Sequence, residues 1–215
     1  MTNFDNTSKK LFEFERDILP QGCGLVAGLD EAGRGPLAGP VVAAAVVLPL
    51  GAPIEGVFDS KGLSPAKREK VFFKIINRAI DIGIGLVGQD LIDRINILQS
   101  TIQAMRDALN KLVVKPEFLL IDALSIPDTC NIPQKSIIKG DQKCYSIAAA
   151  SIVAKVVRDR LMKKFHLEYP EYNFESNKGY GTQEHLDALA SVGPCPLHRR
   201  SFKRVKEFCL AENSS

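Results

Sequence analysis

The sequence has few of the residues that stabilise small secreted domains, and it has no long hydrophobic run. Tryptophan is absent, and the five cysteines among the 215 residues are scattered without any C-x-x-C pair. A disulfide framework or a zinc ribbon is therefore not predicted. The longest apolar stretch, residues 40–50, is too short for a helix that spans a bilayer. Because the first ten residues are polar, unlike a signal peptide, we expect a cytoplasmic protein with no membrane partner.

An excess of charge of one sign is also missing. The chain has 28 Lys and Arg residues against 25 Asp and Glu residues, which gives a net charge of +3. This mild basicity permits a nucleic-acid partner but does not argue for one. A hydrophobic share of 45% and a charged share of 25% exclude disordered, collagen-like and coiled-coil classes. A chain of this length can bury a sufficient core by itself, and we expect a monomer.

The order of the apolar patterns predicts one α/β domain. Residues 1–20 carry an amphipathic helical pattern and are interpreted as an N-terminal extension, and residues 21–215 as the main domain. Strand-like and helix-like segments follow in the order β-β-α-β-α-β-β-α-α-α. The predicted strands are 24–29, 41–48, 82–87, 118–121 and 137–138, and the predicted helices are 64–79, 90–113, 145–164, 183–190 and 202–210. This order predicts a three-layer fold around a central mixed β-sheet, with a C-terminal helical segment.

Acidic residues repeatedly stand where the apolar strands end. Asp30 and Glu31 follow the first predicted strand, Asp122 follows the fourth, and Asp141 follows the fifth. Charges at such positions are costly unless they are paired or bound to a metal. If these strands are neighbours in one sheet, the carboxylates converge, and all-oxygen ligands suit Mg²⁺ or Mn²⁺ better than zinc. The pattern therefore indicates a site for divalent cations.

Each acidic residue also has a simpler interpretation. Asp30 and Glu31 could form an ordinary charged turn, and Asp122 could be a turn residue. Asp141 could cap the helix that follows it. Asp159 is a competing carboxylate, but its position between two arginines indicates a solvated helix face. Only the joint pattern favours a metal site.

Two other motifs suggest different chemistry. Gly83, Gly85 and Gly88 fit the G-x-G-x-x-G signature, which would indicate a nicotinamide-dependent oxidoreductase. These glycines fall inside an apolar strand and not in a turn between a strand and a helix, so a dinucleotide site is not favoured. Cys195 and His198 have metal-like spacing but lack two further ligands, and we interpret them as a loop cysteine and a surface histidine.

Several segments resemble bacterial ribonuclease HII, of the type 2 RNase H family. The opening motif of that family resembles residues 28–42, GLDEAGRGPLAGPVV. Further matching segments follow in order: DSK at 59–61, LID at 120–122, KGD at 139–141, AASIVAKVVRD at 149–159, KGYGT at 178–182 and HRRSF at 198–202. The likeness extends from about residue 24 to about residue 208. Gly62 and Ala123 depart from residues common in the family, and neither is one of the acidic positions.

The resemblance implies an RNase H-like fold and endonucleolytic cleavage of RNA in RNA–DNA hybrids. It also implies incision at single ribonucleotides embedded in duplex DNA, with 5′-phosphate and 3′-hydroxyl products. Two Mg²⁺ or Mn²⁺ ions would be held by the catalytic carboxylates Asp30, Glu31, Asp122 and Asp141. The related HIII type usually has a different glycine motif and an extra N-terminal domain, so the HII type is favoured.

The resemblance also implies which residues bind the substrate. Gly33, Arg34 and Gly35 would grip the 2′-hydroxyl and the adjacent phosphate, largely through the backbone. Tyr180 would stack on the sugar at the RNA–DNA junction, and Lys61 would contact a phosphate. The alternative for Tyr180 is a ring packed on the core below its loop.

A different class of function also fits part of the sequence. A metal-free nucleic-acid-binding module would keep the basic residues but would need no carboxylate cluster. Arg199 and Arg200 could meet phosphates in either class, although runs of exposed charge are usually solvated surface. A nuclease assay with and without Mg²⁺ separates the two classes.

Overall fold

The strands and the longer helices follow one another along the chain in the order that the apolar patterns predict. The computed structural model describes residues 3–50, 53–58, 60–127, 129 and 131–212. The elements are α1 (Asn3–Ile18), β1 (Val26–Ala32), β2 (Val41–Val47), α2 (Pro65–Arg78), β3 (Asp81–Val87), α3 (Gln89–Asn110), β4 (Phe118–Asp122), β5 (Gln134–Ile137), α4 (Tyr145–Glu168), α5 (Phe174–Asn177), α6 (Gln183–Val192) and α7 (Lys203–Glu212). Short 3₁₀ turns lie at Ser60–Gly62, Gly140–Gln142 and Pro170–Tyr172.

The strands form one mixed sheet in the order β3-β2-β1-β4-β5. Strand β2 is antiparallel to both β1 and β3, whereas β1, β4 and β5 run parallel. Leu29 of β1 lies opposite Ile121 of β4, so Asp30 and Asp122 occupy the next position on two adjacent strands. Asp122 in turn lies opposite Ile137 of β5. The carboxyl ends of these three strands therefore meet at one edge of the sheet, as the sequence predicted.

Helices cover both faces of the sheet, which confirms the predicted three-layer fold. Strand β2 is buried along its whole length because its alternating side chains enter two different cores. Ala44 and Val46 pack in one core with α1, α2 and α4. Ala43 and Ala45 pack in the other core with α3. The shorter helices α5 to α7 form a third cluster beside the segment around Ala38.

The glycines of β3 allow α3 to lie directly on the sheet. A Cβ atom on Gly83 would stand 1.9 Å from the Ala108 carbonyl oxygen, and one on Gly85 would stand 1.8 Å from the Ala104 oxygen. Both distances are far below van der Waals contact, so any side chain would push the helix away. The G-x-G-x-x-G pattern therefore reflects helix–sheet packing and not a dinucleotide site.

Strand β1 continues to Ala32, so Asp30 and Glu31 lie within the strand and not after it, where the sequence prediction placed them. The short helix α5 is not among the predicted elements.

Two further elements differ from the sequence prediction. The backbone of α3 leaves the helical region at Asn96 (φ 66°, ψ 167°), whose side-chain oxygen accepts the N–H groups of Leu98 and Gln99 at 3.0 and 3.1 Å. Asn96 thus caps a new helical segment within the predicted 90–113 helix. Strand β5 covers Gln134–Ile137, because Ile138 is exposed and Lys139 turns into the left-handed region with φ of 57°.

Helix α1 packs against the rest of the molecule through both apolar and polar contacts. Leu11 and Phe12 are buried in the core of α2 and α4, and the Phe12 ring meets the Tyr145 ring edge-on at 5.5 Å between centroids. Glu15 accepts hydrogen bonds from the N–H and the hydroxyl of Ser146 at 2.7 and 2.8 Å. The domain boundary after residue 20 stays a prediction. In the part of the chain that the structure describes, none of the helices has the length and apolar character of a membrane span.

Candidate active site

An open pocket of about 230 Å³ lies at the carboxyl edge of β1 and β4. Its walls contain most of the residues that the resemblance assigns to catalysis and substrate binding. They are Asp30, Glu31, Gly33, Arg34, Gly35, Asp122 and Tyr180, together with Ala32, Ser60, Ser151, Lys155 and Arg158. The structure thus brings together residues that are up to 150 positions apart in the sequence.

Asp30 is the most buried carboxylate of this pocket. Its Oδ1 accepts the N–H of Glu31 at 2.7 Å, and its side chain also accepts a hydrogen bond from Ser151 of α4. Burial raises the pKa of Asp30 well above its ordinary value, and the charges of Glu31 and Asp122 raise it further. The three acidic side chains therefore form one mutually repelling group.

The two carboxylate oxygens of Glu31 have different surroundings. Arg34 donates to its Oε1 at 3.4 Å, whereas its Oε2 is buried without a hydrogen-bond partner. Burial raises the pKa of Glu31; the Arg34 charge opposes this effect, and the Asp122 charge adds to it. A buried acceptor without a donor is costly, which is the condition that a bound cation relieves.

Asp122 and Asp141 are connected through the turn that follows β5. The N–H of Gly140 donates to Oδ1 of Asp122 at 2.6 Å, and Asp141 is the next residue in the same 3₁₀ turn. Asp141 is buried, but it is not among the residues that line the pocket. The N-cap position of α4 belongs to Cys144 and not to Asp141.

The chemistry of these donors fits a hard divalent cation. All are carboxylate oxygens, Asp30 and Asp141 are buried, and Oε2 of Glu31 is buried without a hydrogen-bond partner. Over the described ranges, however, no three His, Cys, Asp or Glu side chains are already grouped as a metal site. The ligand atoms are thus of the type that a divalent cation prefers. The side chains, however, are placed as a cluster of mutually repelling groups.

The glycine loop, residues 33–40, forms the wall beside Glu31. Gly33 has φ of +100°, and a Cβ atom there would stand 2.1 Å from Nε of Arg158, so only glycine fits. Arg199 donates to the carbonyl oxygens of Gly33 and Arg34 at 2.6 and 2.9 Å. The buried guanidinium groups of Arg199 and Arg158 therefore hold the loop in place.

Tyr180 lies in the tyrosine loop, residues 178–182, and also lines the pocket. The residue is 46% exposed, which favours a ring open to solvent over the alternative of a ring packed on the core. Its Cε1 atom would be 3.6 Å from a Cβ atom on Gly35, so the ring stands beside the glycine loop. Lys61 belongs to the Ser60–Gly62 turn, and Ser60 lines the pocket; the Lys61 side chain is outside the part that the structure describes.

Two histidines hold the tyrosine loop, which the sequence did not indicate. Nδ1 of His185 donates to the Tyr180 carbonyl at 2.8 Å, because that oxygen can only accept. Nε2 of His198 then donates to Nε2 of His185 at 2.9 Å, while Nδ1 of His198 accepts the Cys195 N–H at 3.0 Å. Burial lowers the pKa of both rings, and His185 lowers the pKa of His198 further, to about 4. Both imidazoles of this hydrogen-bonded pair are therefore neutral. The interpretation of His198 as a surface residue is wrong.

Sequence reasoning also misplaced two charged residues near the site. Arg199 is fully buried and binds backbone carbonyls, so it does not meet phosphates. Asp159 is paired with Lys155 at 2.7 Å and with Arg68 at 3.5 Å, and does not lie on a solvated face. Sequence reasoning assigned no role to Arg158. Its spacing of four from Ala154 on the buried stripe of α4 was the available signal.

A mixed sheet with helices on both faces and carboxylates at the ends of its parallel strands defines the RNase H-like class of hydrolases. The solved ribonuclease H2 from Pyrococcus horikoshii OT3 has this fold, with a TM-score of 0.74, 30% identity, and coverage of 89% of this chain and 100% of that one. The family model Ribonuclease HII matches residues 27–205. The chain belongs to the ribonuclease HII family.

Relatives from two bacteria extend over most of the chain. Ribonuclease HII of Geobacter metallireducens is 53% identical over 206 residues, which cover 95% of this chain and 96% of the relative. Ribonuclease HII of Listeria monocytogenes serovar 1/2a is 52% identical over 199 residues, which cover 93% and 76%. The protein is accordingly a ribonuclease H that acts on the RNA of RNA–DNA hybrids, and the preference for the HII over the HIII type is confirmed.

Proposed function

We propose that this ribonuclease H also incises duplex DNA at single embedded ribonucleotides and leaves 5′-phosphate and 3′-hydroxyl ends. One observation carries the proposal. The pocket that collects Asp30, Glu31 and Asp122 is also walled by the glycine loop and by the exposed ring of Tyr180. Reactive groups and two distinct recognition elements thus face one short stretch of substrate.

The carboxylates are proposed to hold two Mg²⁺ or Mn²⁺ ions. Asp30, Glu31, Asp122 and Asp141 would be the ligands, with Ser151 orienting Asp30 through its hydrogen bond. Divalent ions at such a site activate water and stabilise the leaving oxygen during displacement at phosphorus. The unpartnered Oε2 of Glu31 and the repulsion within the cluster support this assignment, because both are relieved by positive charge.

The two loops are proposed to share the reading of the substrate. Discrimination of RNA from DNA must use the 2′-hydroxyl, which is the group that differs. The glycine loop, with Gly33, Arg34 and Gly35, would contact this hydroxyl and its phosphate. Tyr180 stands beside Gly35 and would stack on the next sugar, and Lys61 would contact a phosphate further along the strand.

The decisive experiment is cleavage of a DNA duplex that contains one ribonucleotide, with the products mapped to the nucleotide. We expect a single incision that depends on Mg²⁺ or Mn²⁺ and stops in EDTA, while an all-DNA duplex of the same sequence stays intact. Tight binding without cleavage in either metal would instead support a non-catalytic binding module. Light scattering of the free protein tests the expected monomer.

A further inference from the structure

Arg158 joins the two loops that wall the pocket. Its side chain is almost fully buried on α4, and its guanidinium donates to three backbone carbonyls. Nε and Nη2 bind the oxygens of Pro40 and Ala38 in the glycine loop, at 3.0 and 3.2 Å. Nη1 binds the oxygen of Lys178 in the tyrosine loop at 3.0 Å. One rigid planar group thus fixes the distance between two segments that are remote in sequence.

Further contacts at the same place show that the two loops form one unit. The N–H of Leu37 donates to the carbonyl of Gly179 at 2.8 Å, next to the Lys178 oxygen that Arg158 binds. Gly33 packs on the Arg158 side chain so closely that it has no space for a Cβ atom. A shift of the guanidinium would therefore move both the beginning of the glycine loop and the residue that precedes Tyr180 by two positions.

The charge of Arg158 is balanced only in part by the carboxylate of the neighbouring Asp159, which is itself paired with Lys155 and Arg68. Among the described residues no acidic side chain lies within ion-pair distance, and its hydrogen bonds go to carbonyl oxygens. Burying a guanidinium in this way is costly in comparison with an apolar side chain of similar size. Neither an apolar residue nor a lysine can supply three donors in a fixed planar arrangement.

We propose that Arg158 is a specificity-determining positioning residue, which sets the tyrosine loop against the glycine loop so that a ribonucleotide and the following deoxyribonucleotide are recognised together. This inference rests on the proposed function. Arg158 acts through the loops and not on the reacting atoms. A long hybrid offers no junction at most of its cleavage positions, so its cleavage depends less on the relative placement of the loops.

Arg199 provides a matched comparison. Its four hydrogen bonds reach the oxygens of Gly33, Arg34 and Gly39, all in the glycine loop, at 2.6 to 3.0 Å. It therefore supports one loop without bridging to the other by hydrogen bonds. We expect Arg199→Lys to lower cleavage of both substrates by similar factors, because both substrates need the glycine loop.

The test compares kcat/KM on a single-ribonucleotide duplex with kcat/KM on a long RNA–DNA hybrid. Arg158→Lys keeps the charge but loses the planar three-way donor. We expect it to lower the ratio of single-ribonucleotide to hybrid cleavage at least fivefold. Arg106→Lys, on α3 across the sheet, should leave the ratio unchanged. If Arg158→Lys does not fold, Arg158→Gln serves as the second variant, since a neutral amide can still reach one of the loops.

A double-mutant cycle with Tyr180→Ala shows whether Arg158 acts through the tyrosine loop. Loss of stacking should cost the wild-type enzyme roughly 5- to 150-fold on the single-ribonucleotide duplex, by analogy with base–aromatic stacking. In the Arg158→Lys background the same change should cost much less. In the Arg158→Lys variant, amide hydrogen exchange should become faster in residues 178–182 and in residues 36–40. A general loss of stability would instead speed exchange outside these two loops as well.

The outcomes separate this inference from the proposed function. An unchanged substrate ratio, strict additivity with Tyr180→Ala, or exchange that quickens in one loop alone overturns the role of Arg158 while wild-type incision stands. A wild-type enzyme that cleaves the hybrid but ignores the single-ribonucleotide duplex overturns the proposed function, and with it the specificity role.

Discussion

At the scale of single residues, the site consists of carboxylates that the fold holds close together although their charges repel one another. Asp30 is buried, and its pKa is raised first by desolvation and then by Glu31 and Asp122. The hydrogen bonds from Ser151 and from the Glu31 N–H oppose this rise at Asp30. The Arg34 charge opposes the rise at Glu31, but the Arg34 side chain is 43% exposed, so screening weakens its effect. The cluster therefore costs stability in the absence of a cation, as expected where function and stability oppose each other.

Asp30→Asn should abolish cleavage and leave the fold intact or slightly more stable. The amide keeps the shape and can still accept the Glu31 N–H, while one of three interacting negative charges is removed. We expect kcat to fall more than about a hundredfold, since metal ions contribute several kcal/mol to such reactions. Activity in Mg²⁺ and thermal unfolding measured on the same preparation check both halves. A folded variant with near-normal activity would remove Asp30 from the mechanism.

Asp141→Asn tests the ligand for which the pocket gives the least support. Asp141 is buried in the turn whose Gly140 N–H holds Asp122. Because Asn replaces Asp in turns and caps with little loss, a structural role predicts an active variant. A ligand role predicts a loss of at least about tenfold in kcat, and a higher Mg²⁺ concentration for half-maximal activity. A metal titration of cleavage distinguishes the two, with the exposed Asp17 of α1, as Asp17→Asn, serving as the control.

At the scale of elements, α4 connects the separate parts of the site. It presents Ser151 to Asp30, Arg158 to both loops and Ser146 to Glu15 of α1. Its sequence of small and apolar residues predicted a tightly packed helix, and that prediction is confirmed. Which loops its polar side chains would meet depends on contacts between residues about 20 to 130 positions apart, and local periodicity carries no record of those.

The strand pattern predicted the acidic cluster for a physical reason. Parallel strands end at the same edge of a sheet, so residues near their carboxyl ends meet without any special arrangement, as Asp30 of β1 and Asp122 of β4 do. The roles of Arg199 and His198 could not be found in this way. Both types of side chain are usually exposed or half-exposed, and only the carbonyls and the second histidine that surround them make burial tolerable.

Gly85→Ala should show that the glycine pattern of β3 serves packing. Its Cβ atom would meet the Ala104 carbonyl oxygen at 1.8 Å, so α3 must move away from the sheet. We expect the free energy of unfolding to fall by about 1–3 kcal/mol, by analogy with overpacked cores. Gly88→Ser is the control from the same motif, because a Cβ atom there has open space and serine is a good N-cap. Equal stability of the two variants in urea unfolding would contradict the packing role.

At the scale of the whole molecule, α1 is coupled to the active-site side of the fold through one carboxylate. Glu15 accepts the N–H of Ser146 in the first turn of α4, where Cys144 at the N-cap supplies no side-chain hydrogen bond. It thus satisfies a backbone donor that the helix itself cannot satisfy. Burial is the main cause that raises the pKa of Glu15 from 4.5 to about 7, although the Ser146 hydrogen bonds oppose it.

This coupling predicts a specific pH dependence of stability. Between pH 4.5 and about 7 the folded protein keeps a proton on Glu15 that the unfolded chain has released. Linkage then requires the contribution of this group to fall as the pH rises, by at most about 1.4 kcal/mol per pH unit, and to level off above the folded pKa. Glu15→Gln lacks this titration. Its stability relative to wild type should therefore increase from pH 5 to pH 8, by roughly 3 kcal/mol at most.

Urea unfolding of wild type and Glu15→Gln at a series of pH values measures this difference directly. Other groups with raised pKa values, such as Asp30, titrate in both proteins, so their contributions cancel in the comparison. Glu13→Gln is the matched control, because Glu13 lies on the same helix with an exposed side chain whose Oε1 atom is 3.9 Å from Nζ of Lys9. Its curve should run parallel to that of wild type. Parallel curves for Glu15→Gln as well would mean that the Glu15 carboxyl is solvated, and that α1 is not held to α4 through a buried proton.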